Sequence, residues 1–303
     1  MFKINVPLTV PRAMSSQYKK NINLITKNTG KLVLFAGDQK IEHLNGDFFG
    51  PGIAKSDANP EHLFQVASKS KIGVFAAQLG LIAKYGDDYR DIDYIVKLNS
   101  KTNLIKATQK DPVSNILTSV EDVIRFKKQS RLNIVGVGYT LYLGSENEAE
   151  GLHQAAQIII KAHQEGLVVV IWMYLRGKAI KNELDLKSLA GGAGVVASLG
   201  ADFVKMNYVS GKYKEYEEVI EAAGRTNIIC VGGSKKQPKE FLELVHEQIN
   251  QAHTNGCAVG RNIHQLPLDK AVNMANALVS IVNYNYSAKD AYAVYLGKKK
   301  LSK

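Results

Sequence analysis

Lys31-Leu32-Val33-Leu34-Phe35-Ala36-Gly37-Asp38 is the stretch on which the fold turns. Its apolar side chains follow one another without polar alternation, as in a strand buried on both faces of a parallel sheet. Runs of the same kind recur at 72–78, 94–99, 133–139, 167–174, 202–207, 228–233 and 257–262, which makes eight. Helical patterns lie between most of them. Thr118 with Glu121 and Ser145 with Glu148 carry an acidic residue three positions after a hydroxyl, a helix-start signature. A third helix opens at Pro238, runs through Phe241, Leu244, Val245 and Ile249, and stops before Gly256. Eight such units in about 240 residues predict an α/β fold, a (β/α)8 TIM barrel. We expect one domain over 1–303, with an N-terminal arm over 1–30, the barrel over about 31–265 and C-terminal helices over 269–303 that cover an end or an interface. A doubly wound open sheet is the alternative.

The composition fits an enzyme-sized chain. Of 303 residues, 45% are hydrophobic and 22% charged, enough to bury a large core. Cys230 and Cys257 sit in strand-like runs, so neither a disulfide framework nor a zinc site is indicated, and a reducing cytoplasm suits them. The N-terminus Met-Phe-Lys-Ile-Asn-Val-Pro lacks a signal-peptide core, and no apolar run approaches the roughly 20 residues of a membrane helix. A cytoplasmic protein without a membrane partner is expected. The net charge of +11 is scattered, and its densest cluster, Lys298-Lys299-Lys300-Leu301-Ser302-Lys303, reads as a solvated tail. No nucleic-acid-binding motif accompanies it, so the basic surface suits anionic, phosphorylated small molecules better than specific nucleic acid.

Barrel chemistry sits where strands end. The sixth run, Ala201-Asp202-Phe203-Val204-Lys205-Met206-Asn207-Tyr208, places the amine of Lys205 there. Burial disfavours an ammonium, so such a lysine is a candidate nucleophile toward carbonyls, against the alternative of a packed stem whose head reaches water. Val96-Lys97-Leu98-Asn99 resembles Val204-Lys205-Met206-Asn207, and a second ammonium at Lys97 would help keep Lys205 neutral or would itself touch substrate. The fifth run ends in Trp172-Met173-Tyr174-Leu175-Arg176-Gly177. Spacing of two turns Trp172 and Tyr174 to the same side, as a site or merely as strand packing, and Arg176 is a candidate clamp for anionic substrate. The seventh and eighth runs end in Gly232-Gly233-Ser234 and Gly260-Arg261, which predict a phosphate cradle of backbone amides, a hydroxyl and a guanidinium. Asp38, Glu42 and His43 read as metal ligands only if a second histidine pair joins them, and none does. No metal or organic cofactor is expected.

The segments Leu34-Phe35-Ala36-Gly37-Asp38-Gln39-Lys40-Ile41-Glu42-His43, Trp172-Met173-Tyr174, Val204-Lys205-Met206-Asn207 and Gly232-Gly233-Ser234 resemble the archaeal-type class I fructose-1,6-bisphosphate aldolases, which also occur in bacteria. The resemblance spans roughly residues 30 to 265. It implies that Lys205 forms the Schiff base, that Tyr174 donates a proton, and that Asp38 lies beside the reacting carbons. Gln39, His43, Lys97, Trp172, Arg176 and Asn207 are then substrate contacts. It also implies a phosphorylated sugar as substrate and a homo-oligomer, since family members are often decamers. Two departures stand out: Leu175 follows the tyrosine where proline is common, and Gln39-Lys40 replace a His-Gly pair. The second alters side chains near the sugar or its distal phosphate. Related lysine aldolases or synthases, a thiolase of phosphorylated signalling molecules, a metal-dependent aldolase, and a barrel that merely binds phosphate or nucleic acid are the competing readings.

Overall fold

The computed structural model describes residues 3–106 and 108–302; Met1 and Phe2 of the arm and Lys303 of the basic tail lie outside the described residues. Eight strands, β1 (Leu32–Ala36), β2 (Val74–Gln78), β3 (Tyr94–Lys97), β4 (Ile134–Leu143), β5 (Val168–Leu175), β6 (Phe203–Met206), β7 (Asn227–Val231) and β8 (Gly256–Val259), pair in chain order. All pairs are parallel, and β8 returns to β1 through Leu32↔Gly256 to Phe35↔Val259. The closed (β/α)8 barrel replaces the open-sheet alternative because both edges of the sheet find each other.

Helices fill the connections: α1 (Ser15–Ile25) in the arm, α2 (Gln39–Glu42), α3 (Glu61–Lys69), α4 (Leu79–Tyr85), α5 (Val120–Ser130), α6 (Glu148–Gln164), α7 (Leu186–Leu199), α8 (Glu217–Ala223) and α9 (Pro238–Asn250). After β8 come α10 (Arg261–His264), α11 (Leu268–Tyr284) and α12 (Ala288–Tyr295). α11 packs against α9, α3 and β1 and closes the outer ring, while α12 lies on α9 and α11. Pro238 opens α9 at its first turn as expected.

The other two helix starts differ from the sequence reading. The capping box before α5 uses Ser119 with Asp122, one residue beyond Thr118 and Glu121, because Asp122 reaches back to the Ser119 amide. Before α6 the cap residue is Asn147; the Ser145 hydroxyl instead donates to the Pro112 carbonyl, and Glu148 accepts from the Gly144 amide at 2.5 Å. The run 257–262 is also shorter as a strand, since Arg261 and Asn262 turn into α10. In the tail, Lys299 folds back onto Asp290 at 2.8 Å rather than standing wholly free.

The barrel interior is a packed core. Leu32, Leu34, Val74, Ile95, Val168, Val170, Phe203 and Ile229 form one apolar cluster with Tyr18, Ile22 and Ile25 of α1, which plug the end where the strands begin. Tyr18 donates to Asp202, whose second oxygen accepts from the Val169 amide at 2.7 Å and lies 3.2 Å from His163; Thr9 completes the chain at 2.6 Å from that histidine. The other end has a different filling: Trp172 of β5 lies across it, buried to 1% exposure. Gly138 of β4 makes room, because a Cβ there would collide with the indole and would stand 3.3 Å from the Lys97 side chain. Gly138→Ala should therefore cost about 1–3 kcal/mol of stability, measured as a lower midpoint in urea unfolding. Gly191→Ala, where an added Cβ in α7 meets nothing within 4 Å, should gain about 0.5–1 kcal/mol.

Candidate active site

The cavity at the strand C-termini is bounded by β1, β5, β6, β7 and β8 and the loops that follow them. Lys205 enters it from β6, 5% exposed, with its ammonium 5.0 Å from the centroid of the Trp172 ring. Burial drives its pKa below the ordinary 10.5; the Asp38 and Glu42 carboxylates oppose this, and the Arg261 guanidinium adds to it. Lys97 stands 5.4 Å from the same indole, but its ammonium donates to the Asn99 carbonyl at 2.6 Å and the Asn99 side chain at 3.0 Å. Burial pushes Lys97 down to about 8, with Asp38 and Glu42 opposing and Lys205 contributing. Lys97 is not among the residues that line the cavity, and its ammonium turns to Asn99. Repulsion between the two ammonium groups disfavours charge on both lysines, and the Arg261 guanidinium adds to it at Lys205.

Tyr174, two residues after Trp172 on β5, faces the same cavity and stacks on Tyr142 at 6.3 Å. Burial raises its pKa well above 10, and Glu42, Asp38 and Tyr142 raise it further, so the phenol keeps its proton near neutral pH. Arg176 covers Tyr174 at 5.4 Å and is held by Glu183 through bonds of 3.0 and 3.3 Å. Glu42 lies 3.8 Å from the same guanidinium and accepts from the Tyr142 hydroxyl at 3.4 Å.

The first strand feeds the opposite wall. Asp38, 6% exposed, is placed by its own carbonyl, which accepts from Gln78 at 2.9 Å. Gln39 is held 3.2 Å from His264, itself 2.6 Å from the buried Asp57, and Gly260 is glycine because a Cβ would strike the Gln39 side chain. Lys40, its neighbour in the departure from the family pattern, turns away to the Ala58 carbonyl and lies 4.1 Å over the Phe48 ring. His43 bonds Asp47; burial pushes that carboxyl up, but His43, Arg261 and His264 outweigh it and bring it below the usual range.

The glycine loops after β7 and β8 meet at Asn262, whose amide donates to the Gly232 and Ser234 carbonyls, each at 3.0 Å. Gly232 and Gly233 line the cavity, and Gly233 has a positive φ of +66° that suits glycine. The cradle is narrower than the sequence implies. Gly232 spends its amide on the Ala258 carbonyl at 3.0 Å, and the exposed Ser234 hydroxyl does not line the cavity. The amides of Gly233 and Ser234 keep their donors open, since neither has an internal partner among the described residues. Asn207 lines the cavity and gives its carbonyl to Tyr216 at 2.8 Å.

Three buried polar atoms in this one cavity have no hydrogen-bond partner: Asp38 Oδ1, Trp172 Nε1 and Arg261 Nε, the last of which stands 3.7 Å from the Asp47 carboxylate. Buried polar groups are almost always paired, so orphans converging on a cavity beside a desolvated lysine mark a place for a polar guest. Sequence reasoning missed Asn262, Tyr142 and Glu183, and it weighed Glu42 only as a metal ligand. Its spacing of four from Asp38 on a helical turn is the signal that puts Glu42 on the same face. Among the described residues no group of three or more His, Cys, Asp or Glu side chains is arranged to hold a metal ion, and no helix is long and apolar enough to cross a membrane.

A parallel barrel carrying a buried lysine on its sixth strand has the build of the lysine aldolases. Residues 32–266 match the DeoC/LacD family aldolase, and the chain belongs to that family. It is 52% identical over 299 residues to the fructose-bisphosphate aldolase/6-deoxy-5-ketofructose 1-phosphate synthase of Methanocaldococcus jannaschii, covering 98% of this chain and 96% of that one. The fructose-bisphosphate aldolase of Slackia heliotrinireducens superposes with a TM-score of 0.96 at 46% identity, covering 99% and 96% of the two chains. An archaeal fructose-1,6-bisphosphate aldolase, solved with its catalytic lysine bound to the carbinolamine intermediate, superposes with a TM-score of 0.76 at 31% identity, over 88% and 99%.

The electrostatics around Lys205 have a measurable sign. Trapping with dihydroxyacetone and borohydride, followed by intact mass, should rise with pH through a midpoint below the ordinary lysine value of 10.5. Asp38→Asn or Glu42→Gln removes a carboxylate that favours the ammonium and should move the midpoint down; Arg261→Gln should move it up. Shifts in the reverse sense would contradict the assignment.

Proposed function

We propose that this aldolase cleaves fructose 1,6-bisphosphate reversibly to dihydroxyacetone phosphate and glyceraldehyde 3-phosphate, with Lys205 as the nucleophile. The convergence of Lys205 with Asp38, Trp172 and Arg261 atoms that lack hydrogen-bond partners carries the reading. The neutral Lys205 amine attacks C2 of the open-chain ketose, and the resulting carbinolamine loses water as Tyr174 gives a proton to its hydroxyl. The iminium then draws the electrons of the C3–C4 bond while the C4 hydroxyl loses its proton, which Asp38 orients for transfer. Glyceraldehyde 3-phosphate departs, the enamine takes a proton at C3, and water hydrolyses the iminium to dihydroxyacetone phosphate and free Lys205. Arg261 and the open amides of Gly233 and Ser234 suit the phosphate of the dihydroxyacetone half. That group does not change during cleavage, so they act on binding.

A second reaction at the same site has one observation in its favour. Arg176, at the other end of the cavity, is already countered by Glu183 and Glu42. The product in the Methanocaldococcus relative's name, 6-deoxy-5-ketofructose 1-phosphate, disconnects at C3–C4 into dihydroxyacetone phosphate and a three-carbon ketoaldehyde without phosphate. A charge-balanced acceptor end accommodates such an aldehyde.

Borohydride reduction with dihydroxyacetone phosphate should leave one adduct per chain on Lys205 and none on Lys97, located by peptide mass spectrometry. An adduct on Lys97 would remove Lys205 from its role. Tyr174→Phe keeps the ring and loses the hydroxyl, so kcat should fall by about 10²–10⁴-fold with little change in KM. Near wild-type kcat would make Tyr174 a packing residue and Asp38 the leading acid. Activity should survive dialysis against EDTA, because the iminium supplies the electron sink that a Lewis acid supplies elsewhere; loss restored by zinc would refute the Schiff-base route.

A further inference from the structure

The far end of the cavity is built around Arg176, and its charges cancel. Glu183 grips the guanidinium in a two-pronged pair of 3.0 and 3.3 Å, and Glu42 stands 3.8 Å away. Lys101 is the other cation in range: burial lowers its pKa, Glu42 opposes that and Arg176 adds to it, while its ammonium bonds the Thr102 carbonyl and Asn103 side chain. A two-pronged carboxylate on a guanidinium has the same geometry as a phosphate there. A phosphorylated acceptor reaching Arg176 therefore meets an occupied partner, whereas an uncharged acceptor does not.

The two carboxylates are not equally fixed. The Glu42 side chain is 17% exposed and takes a bond from Tyr142. The Glu183 side chain is 43% exposed, on the connection between β5 and α7. That connection is pinned near its start, where the Lys178 amide donates to Asp111 at 2.8 Å and the Ala179 amide to the Gly144 carbonyl at 3.2 Å. Its far end is pinned where Asp185 caps α7. Lys181, Asn182 and Leu184 around Glu183 are exposed, so this carboxylate is the one able to swing out.

We propose that Glu183 sets the acceptor preference: it stands in for a second phosphate on Arg176 and must be displaced by phosphorylated acceptors. The proposal rests on the aldolase reading above. The test compares cleavage of fructose 1,6-bisphosphate with fructose 1-phosphate, which lacks the charge at the acceptor end. Glu183→Gln should lower KM for the bisphosphate by about three- to tenfold, as expected when a partly exposed ionic competitor is removed, and leave KM for the monophosphate and both kcat values within about twofold. Equal falls for both substrates, or no change for either, would overturn it. A rise in KM for the bisphosphate alone would also overturn it, showing that Glu183 positions Arg176 instead of competing. Glu183→Asp, which keeps the carboxylate, should stay closer to the wild-type KM ratio than Glu183→Gln does; a ratio equal to that of Glu183→Gln would overturn it. If neither ketose is cleaved the proposed reaction falls, and calorimetric titration with glyceraldehyde 3-phosphate against glyceraldehyde still reads the competition: tightening of the first alone in Glu183→Gln supports it, and its absence overturns it.

Discussion

Two lysine side chains are buried at one end of a closed barrel, with ammonium groups 5.0 and 5.4 Å from a single indole. Taking an ammonium out of water costs free energy unless it is paired or gives up its proton, and the two lysines meet that cost differently. Lys97 is paired, with Asn99 receiving its hydrogens. Lys205 has no such acceptor among the described residues, and the cost falls on its charged form. A nearly symmetric placement on β3 and β6 thus yields one lysine bonded to its neighbour and one without such an acceptor, separated by what lies beyond each strand end. Gly138 leaves the space in which the Trp172 ring lies beside both ammonium groups.

Around this pair the walls are held by side chains that touch nothing reactive. Asn262 ties the loops after β7 and β8 together, and Asp57 with His264 holds Gln39. Asp111, 3% exposed, does the same on the far side, accepting amides from Glu146 after β4 and Lys178 after β5. Each is a buried acceptor or donor that spans two loops. Loops so fixed hold the cavity open while the strands bring their chemistry to its floor.

The barrel was legible because burial on both faces writes itself as continuous apolar runs, and Lys205 because a charge interrupts such a run. Where two residues satisfy one local rule, the pattern fails by a step: Thr118 and Ser119 both have an acid three positions on, and the geometry of the chain entering α5 chose the second. The glycine loops showed where a cradle lies without showing which amides are open, because the Gly232 donor goes to Ala258 on the neighbouring strand. Glu183 left no trace at all. Its contact with Arg176 depends on how a short irregular segment turns back, which neither periodicity nor spacing records.

The plug beneath the barrel carries a consequence for how the molecule comes into being. Tyr18 leaves the ribosome long before its partner Asp202, 184 residues later in the chain. Thr9 waits 154 residues for His163. Throughout that interval the apolar stripe of Tyr18, Ile22 and Ile25 lacks Phe203 and Ile229, which complete the cluster it packs in. Nor is the sheet closed until β8 has emerged to meet β1. For much of its synthesis the nascent protein therefore carries a partly covered amphipathic helix on a growing, open-edged sheet, the kind of surface that is prone to mispairing until the barrel closes.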